Sequence, residues 1–159
     1  MSTASVSGCS TIVVMGQFGV FEEGPLNSAA YPGMNVQMGV ATDVMGRHYW
    51  SPGSTDYIGT GTGQTTVHGS VKVLREDALQ GNTVADAYAS GDNAFIYIPR
   101  SGDIIQVLVT SGQTVAKGDP LTAQSTGKWN VDATNGTVEA LESSGGSLSG
   151  DKLMRVRVL

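Results

Sequence analysis

Apolar positions are densest between Ala94 and Leu121, and their spacing is that of extended chain. Ala94, Ile96 and Ile98 share one face of a segment whose other face carries Phe95 and Tyr97. Pro99 has no N–H to give to a ladder and ends that segment. Ser101-Gly102-Asp103 reads as a turn. Beyond it Ile105, Val107 and Val109 fall on one face, with Ile104, Gln106 and Leu108 on the other. Ser111-Gly112 turns the chain again, a short strand is expected through Val115, and Gly118-Asp119-Pro120 makes a third turn. Strands that are apolar on both faces belong in the middle of a sandwich or barrel. The rest of the chain is therefore expected to pack around this unit.

The flanking pattern adds strands on both sides. Thr11 to Met15 predicts a short strand, and Val67, Gly69, Val71 and Val73 alternate with His68, Ser70 and Lys72. Residues 75–89 hold at most a helical turn, because Gly81-Asn82 interrupts anything longer. Trp129–Val131 and Thr137–Leu141 flank Asn135-Gly136, the preferred type I′ pair, and predict a hairpin. Ser143 to Gly150 is a Gly/Ser-rich loop. In the closing run Met154, Val156 and Val158 face inward, with Arg155 and Arg157 outward. The fold class expected is all-β: a small barrel or sandwich core over residues 66–159, preceded by an extended, irregular arm and loop region over 1–65.

That first region differs in character. The first 46 residues contain no Lys or Arg, and Glu22, Glu23 and Asp43 are their only charges. Gly and Pro break residues 16–38 too often for a regular element to be expected there. Disordered segments are usually rich in charge, so an apolar, nearly uncharged one is expected to be ordered by lying on something, either its own core or a neighbouring protein. Phe18, Phe21, Tyr31, Met34 and Met38 are the candidate contact residues, since aromatic and methionine side chains supply rigid and adaptable contact area.

Composition narrows the functional classes. A chain of 159 residues favours one domain, or a core with an arm. Only 14% of it is charged, against roughly 25% in an ordinary soluble domain, and 22 glycines favour turns over helices. The net charge of −5, with no basic cluster, disfavours nucleic acid as a partner. A single cysteine, Cys9, excludes an internal disulfide framework. The opening Met-Ser-Thr-Ala-Ser lacks a basic n-region, so no signal peptide is expected, and no run approaches the roughly 20 apolar residues of a membrane span.

Candidate chemistry is sparse. Gly59-Thr-Gly-Thr-Gly-Gln has the wrong spacing for a dinucleotide fingerprint, and Gly127-Lys128 lacks the earlier glycine of a phosphate loop. His48 and His68, with Cys9, show no metal-ligand spacing. No Gly-x-Ser-x-Gly elbow is present. The fourteen acidic residues are spread along the chain, only Glu22-Glu23 and Glu76-Asp77 being adjacent, and those at Gly91-Asp92, Gly102-Asp103 and Gly118-Asp119 read as local hydrogen-bonders in turns. Asn135-Gly136-Thr137 matches a glycosylation acceptor but, without a secretion signal, reads as a turn. No catalytic, cofactor-binding or metal-binding residue is expected, and no enzymatic activity.

Two resemblances go further. Gly102-Asp-Ile-Ile-Gln-Val-Leu-Val-Thr-Ser-Gly112-Gln-Thr-Val115-Ala-Lys-Gly118-Asp-Pro-Leu121 resembles the barrel-sandwich, or hammerhead, pattern of biotinyl and lipoyl domains. Lys128 falls about where their modified lysine stands, but Thr126-Gly127 before it and Trp129 after it do not match either acceptor motif, so the resemblance implies the fold and not the modification. The longer succession from Val73-Leu-Arg-Glu-Asp through Pro99-Arg-Ser-Gly-Asp-Ile to Ala140-Leu-Glu-Ser and Leu153-Met-Arg-Val-Arg-Val-Leu, with Tyr31-Pro-Gly-Met34 ahead of it, resembles head decoration (capsid cement) proteins of tailed bacteriophages. That resemblance implies a β-rich module on the outer surface of the capsid that stabilises the expanded head. Its partners would be the major capsid protein and copies of itself, often as a homotrimer. Two alternatives stay open: a carrier-type domain loaded on Lys128, and a carbohydrate-binding or adhesin module presenting Tyr49, Trp50 and Tyr57.

Overall fold

The computed structural model describes residues 11–16, 19–57, 67–68 and 71–159. Its strands are β1 (Val13–Met15), β2 (Val20–Pro25), β3 (Val36–Thr42), β4 (His48–Pro52), β5 (Asp56–Tyr57), β6 (Val67–His68) and β7 (Val73–Leu74), followed by β8 (Asn93–Ile98), β9 (Ile104–Val109), β10 (Pro120–Ala123), β11 (Trp129–Val131), β12 (Val138–Ala140) and β13 (Lys152–Val158). The only helix among the described residues is one 3-10 turn, Ala78–Gln80, capped by the Asp77 carboxylate and stopped by Gly81 at φ 80°. The all-β class expected from the pattern is the one observed.

Five strands close on themselves in the order β9-β11-β10-β12-β13, with β13 returning to β9. The longest seam runs antiparallel from Lys152↔Val109 to Arg157↔Ile104. β9 is flanked on both edges, because β1 and β11 take the side that β13 leaves open. All of β9 except half-buried Ile104 is buried, Gln106 included, whose amide donates to the Thr11 carbonyl at 2.7 Å. β8 is likewise the middle strand of the sheet β2-β8-β7.

The turns obey a repeated local rule. At Asp92, Asp103 and Asp119 the carboxylate accepts from the backbone N–H three residues earlier, at 2.7, 3.0 and 2.8 Å. The glycine before each aspartate sits at φ between 91° and 94°, which a side chain resists. These are the local hydrogen bonds that the Gly-Asp pairs predict.

Three expectations are corrected. β11 and β12 do not form a hairpin; β10 lies between them and pairs with both. Asn135 takes no positive φ, so no type I′ turn forms, and Asp132 instead caps the loop by accepting from the Thr134 and Asn135 amides. Gly136 serves close packing, since a Cβ there would lie 2.2 Å from Pro120 Cβ. The stretch read as too broken for regular structure carries β2 and the start of β3. Pairing to β8 over six residues, from Val20↔Ile98 to Pro25↔Asn93, overrides the Glu-Glu-Gly-Pro sequence that hides β2. Val115 is buried but belongs to no strand.

One hydrophobic cluster joins Ile12, Leu26, Ala30, Met34, Val36 and Trp50 to the barrel residues. Tyr31-Pro32-Gly33-Met34 makes the junction. The Met34 amide donates to the Tyr31 carbonyl at 3.2 Å, with Pro second and Gly33 third at φ 87°, as a type II turn requires. Gly33 lies on the barrel wall, where a Cβ would stand 2.5 Å from Leu153 Cδ2, and its carbonyl accepts from the Leu108 amide and from the indole N–H of fully buried Trp129. Buried Asn35 then ties the β3–β4 ribbon to residue 72: its amide donates to the Gly53 carbonyl and its oxygen accepts from the Lys72 amide.

Candidate binding surface

Apolar side chains left in solvent mark two places. The first lies on the N-terminal strands, where Val14 and Met15 of β1 and Val20 and Phe21 of β2 are exposed. Phe21 is 59% exposed yet held in place. It stands opposite Tyr97 in the β2–β8 ladder, the two rings are 4.9 Å apart, and the Arg75 guanidinium carbon sits 5.1 Å from the Phe21 ring centre. β1 is anchored by the buried Glu76 carboxylate, which accepts from Thr11 Oγ1 at 2.6 Å and from the Ile12 amide at 3.0 Å. Side chains at Gly16 or Gly19 would collide with Tyr97, within 2.2 Å, so bare backbone lies against that side chain at both positions.

Beside Phe21 a groove of about 260 Å³ opens between Arg75, Glu76, Ala78, Leu79 and Phe95. Leu79 on its rim is 86% exposed. Among the described residues no acceptor reaches the buried Arg75 Nε, an uncommon state for a donor that costs free energy to desolvate.

Tyr97 also sets the alkaline limit of this region. Burial, then the hydrogen bond from its hydroxyl to Asp103 Oδ2 at 2.6 Å, push the phenol up to about 12. Burial does the same to Tyr88, also to about 12, with the Asp77 and Glu76 charges adding to it. An unfolded chain ionises its tyrosines near 10, so between pH 10 and 12 the unfolded state gives up protons that the folded state keeps. Stability is therefore full below pH 10 and falls as pH rises toward 12. Tyr97→Phe is expected to make this fall roughly half as steep, since one of two shifted groups is gone. Urea midpoints measured from pH 9 to 12 check it; an unchanged slope contradicts the assignment.

The second place is the tip of the β3–β4 ribbon. Val44 is fully exposed and Met45 73% exposed, with Met38 exposed farther down the same ribbon. The Gly46 amide donates to the Asp43 carbonyl at 3.0 Å and the Asp43 amide to the Arg47 carbonyl at 2.8 Å, with Gly46 at φ 78°. That is a three-residue hairpin loop closed by a left-handed glycine. Asp43 locks it: the carboxylate accepts from the Met45 and Arg47 amides, both at 2.9 Å, and from Arg47 Nε at 2.8 Å. Those bonds, the Arg47 amide first, hold the Asp43 pKa below its usual value. Arg47 also reaches Asn93 Oδ1 at 3.4 Å, which ties the tip to the start of β8.

Of the residues singled out by sequence, Phe21 and Met38 stand exposed on these two surfaces. Tyr31 is half-buried, and Met34 is buried, its sulfur accepting from the Tyr31 amide at 3.4 Å. Phe18 lies outside the described residues, as do Cys9 and the Gly59–Gly63 run. Val44, Met45, Leu79 and Arg75 were not singled out; a three-residue turn whose first two residues are Val-Met, between Asp and Gly, was the available signal for the tip. Lys128, at the acceptor position of the hammerhead pattern, is ion-paired at 2.6 Å to Asp151. Trp50 is buried and Tyr49 half-buried, so those two do not form an open stacking platform, and the Tyr57 side chain is not among those described. Among the described residues no cluster of three or more His, Cys, Asp or Glu could hold a metal, and no helix is long and apolar enough to cross a membrane.

No protein-family model matches the sequence, and no curated protein does. Among solved structures the chain is similar to the N base of head fiber gp8.5 of bacteriophage phi29, with a TM-score of 0.52 and 12% sequence identity over 89% of this chain and 95% of that one. At that identity the likeness establishes a shared fold.

Proposed function

We propose that the chain is a structural protein of a tailed-phage virion, carried on the outside of the head as a decoration protein that reinforces the expanded shell, and that it works by binding and not by turnover. The observation that carries this is the rigid, exposed apolar surface around Phe21 on a charge-poor β-barrel. Large apolar side chains fixed in place and left in solvent mark a surface that a partner covers. The fold shared with a phage head fiber base supports a place on the head, as does the resemblance of Tyr31–Met34 and the barrel strands to decoration proteins. Many modest contacts repeated over one lattice act together, so a surface of limited size is sufficient.

The strands of residues 13–42 are built into the core, so cutting this region away would remove fold as well as contact. The reading is better tested with the whole chain. Purified protein mixed with expanded heads that lack it is expected to sediment with them to saturation, in a fixed ratio to the shell protein, and to raise the temperature at which they rupture. Protein that stays in the supernatant contradicts the reading. The phi29 protein is the N base of a head fiber, which favours a second reading, a seat for a longer head appendage. Decoration predicts saturation at every equivalent lattice site, whereas a seat predicts a subset.

A further inference from the structure

A separate pocket of about 130 Å³ opens beside the 3-10 turn Ala78–Gln80. Buried Asp77 and Tyr88 line it, with exposed Gln80, Asn82, Asp86 and Asp92 around them. Its lining holds three carboxylates and no Lys, Arg or His. We propose that this pocket binds a primary ammonium group, presented as the side chain of a lysine on a partner protein. Each carboxylate spends one oxygen on its own loop. Asp77 Oδ1 accepts from the Gln80 amide at 3.2 Å, Asp86 Oδ2 from the Thr83 amide and hydroxyl at 2.7 and 2.9 Å, and Asp92 Oδ2 from the Ala89 amide at 2.7 Å. Those bonds hold the groups in place, and among the described residues no donor reaches the other oxygen of any of them. Asp86 and Asp92 are exposed, so water satisfies that oxygen. Asp77 is different, because it is only 4% exposed. A carboxylate withdrawn that far from water is costly unless it is paired, and among the described residues no cation pairs with it. A cation entering the pocket supplies the missing partner.

Charge, size and hydrogen bonding select the ligand. A lysine ammonium carries three N–H donors and no acceptor, which suits a site whose free carboxylate oxygens are all acceptors. The three carboxylates do not converge closely enough to ligate a metal ion, whereas an ammonium can meet one directly and the others through water. The volume is roughly that of four waters, room for the ammonium and its adjoining methylenes. The chain's nearest cation does not fill the place: Arg47 reaches Asn93 Oδ1 on the pocket's edge at 3.4 Å but is committed to Asp43 at 2.8 Å. The wider charge distribution agrees. Residues 1–93 hold three of the nine basic and eight of the fourteen acidic residues, while residues 94–159 hold six of each, so the whole net charge of −5 lies in the part of the chain that carries the pocket. Such a field draws cations toward it. The inference does not depend on the virion reading, because it concerns a pocket of the isolated chain.

Titration of the whole chain with Nα-acetyl-lysine N-methylamide, followed by backbone amide NMR shifts, tests it. The shifts are expected to concentrate at Gln80, Asn82 and Asn93 and to saturate in about the millimolar range, as a single charge-assisted contact in water does. The Nε-trimethyl analogue carries the same charge with no N–H, and is expected to bind at least about tenfold more weakly. Asp77→Asn keeps an oxygen for the Gln80 amide and removes the charge, so it is expected to weaken the lysine probe at least about tenfold with circular dichroism unchanged. Asp86→Asn, on the exposed rim, is expected to weaken it about twofold to threefold, and decides the matter if Asp77→Asn does not fold. Equal binding of the two probes overturns the proposal. So do shifts spread over the acidic surface that neither variant changes, which would mean charge attraction without a site.

Discussion

Trp129→Ala is expected to lower the unfolding free energy by about 3–5 kcal/mol, a large part of the 5–15 kcal/mol typical of a domain. Trp129 is the largest of the fully buried side chains and sits where β11 runs parallel to β9 at Val109. Removing the indole opens a cavity between the barrel and the Tyr31–Met34 turn, because its N–H reaches the Gly33 carbonyl at 3.1 Å. That carbonyl keeps the Leu108 amide at 2.9 Å, so the lost hydrogen bond is the smaller part of the penalty. Trp129→Phe, which keeps most of the volume, is therefore expected to recover most of the loss, leaving a deficit of about 1–2 kcal/mol. Denaturant midpoints at constant slope measure both variants. A cost below about 1 kcal/mol for Trp129→Ala would contradict the description of Trp129 as fully buried at this junction.

Replacing Val20 and Phe21 together by serine is expected to weaken attachment to heads by about thirtyfold or more, since a central interface aromatic is worth about 2 kcal/mol. Both side chains are exposed, so the fold keeps its core. The expected stability loss is only the contact of Phe21 with Tyr97 and Arg75, about 0.5–2 kcal/mol. Serine adds no charge, so a loss of binding reports the missing apolar surface. Ser125→Asp, far from it in sequence and on an exposed barrel turn, serves as the matched control and is expected to bind normally. Co-sedimentation isotherms compare the three. Equal affinities would remove Phe21 from the contact.

The part of the fold legible in the sequence is the part where periodicity and burial agree. β8, β9 and β13 alternate or are mostly apolar, and the Gly-Asp pairs at 91–92, 102–103 and 118–119 carry their turns locally. What stayed hidden depends on tertiary pairing. β10 is four residues that begin with a proline, too short to compete with the Asn135-Gly136 signal, yet its insertion between β11 and β12 forbids the hairpin. β2 carries Glu22, Glu23, Gly24 and Pro25, and only its six-residue match to β8 makes it a strand. For the surface, an apolar residue type announces contact area but not its destination. Met34 was spent on the core, its sulfur folded back onto the turn, whereas Met45 was raised to the top of a hairpin. The difference lies in what Pro32-Gly33 and Asp43 with Gly46 do to the backbone around them.

The most direct test of the proposal that this chain is a virion protein is the quantitative protein composition of phage particles purified from its source. The account predicts that the chain is present in a fixed ratio to the major shell protein, is lost when the head surface is stripped, and returns when purified protein is added back. Particles of normal composition that lack the chain entirely would contradict it.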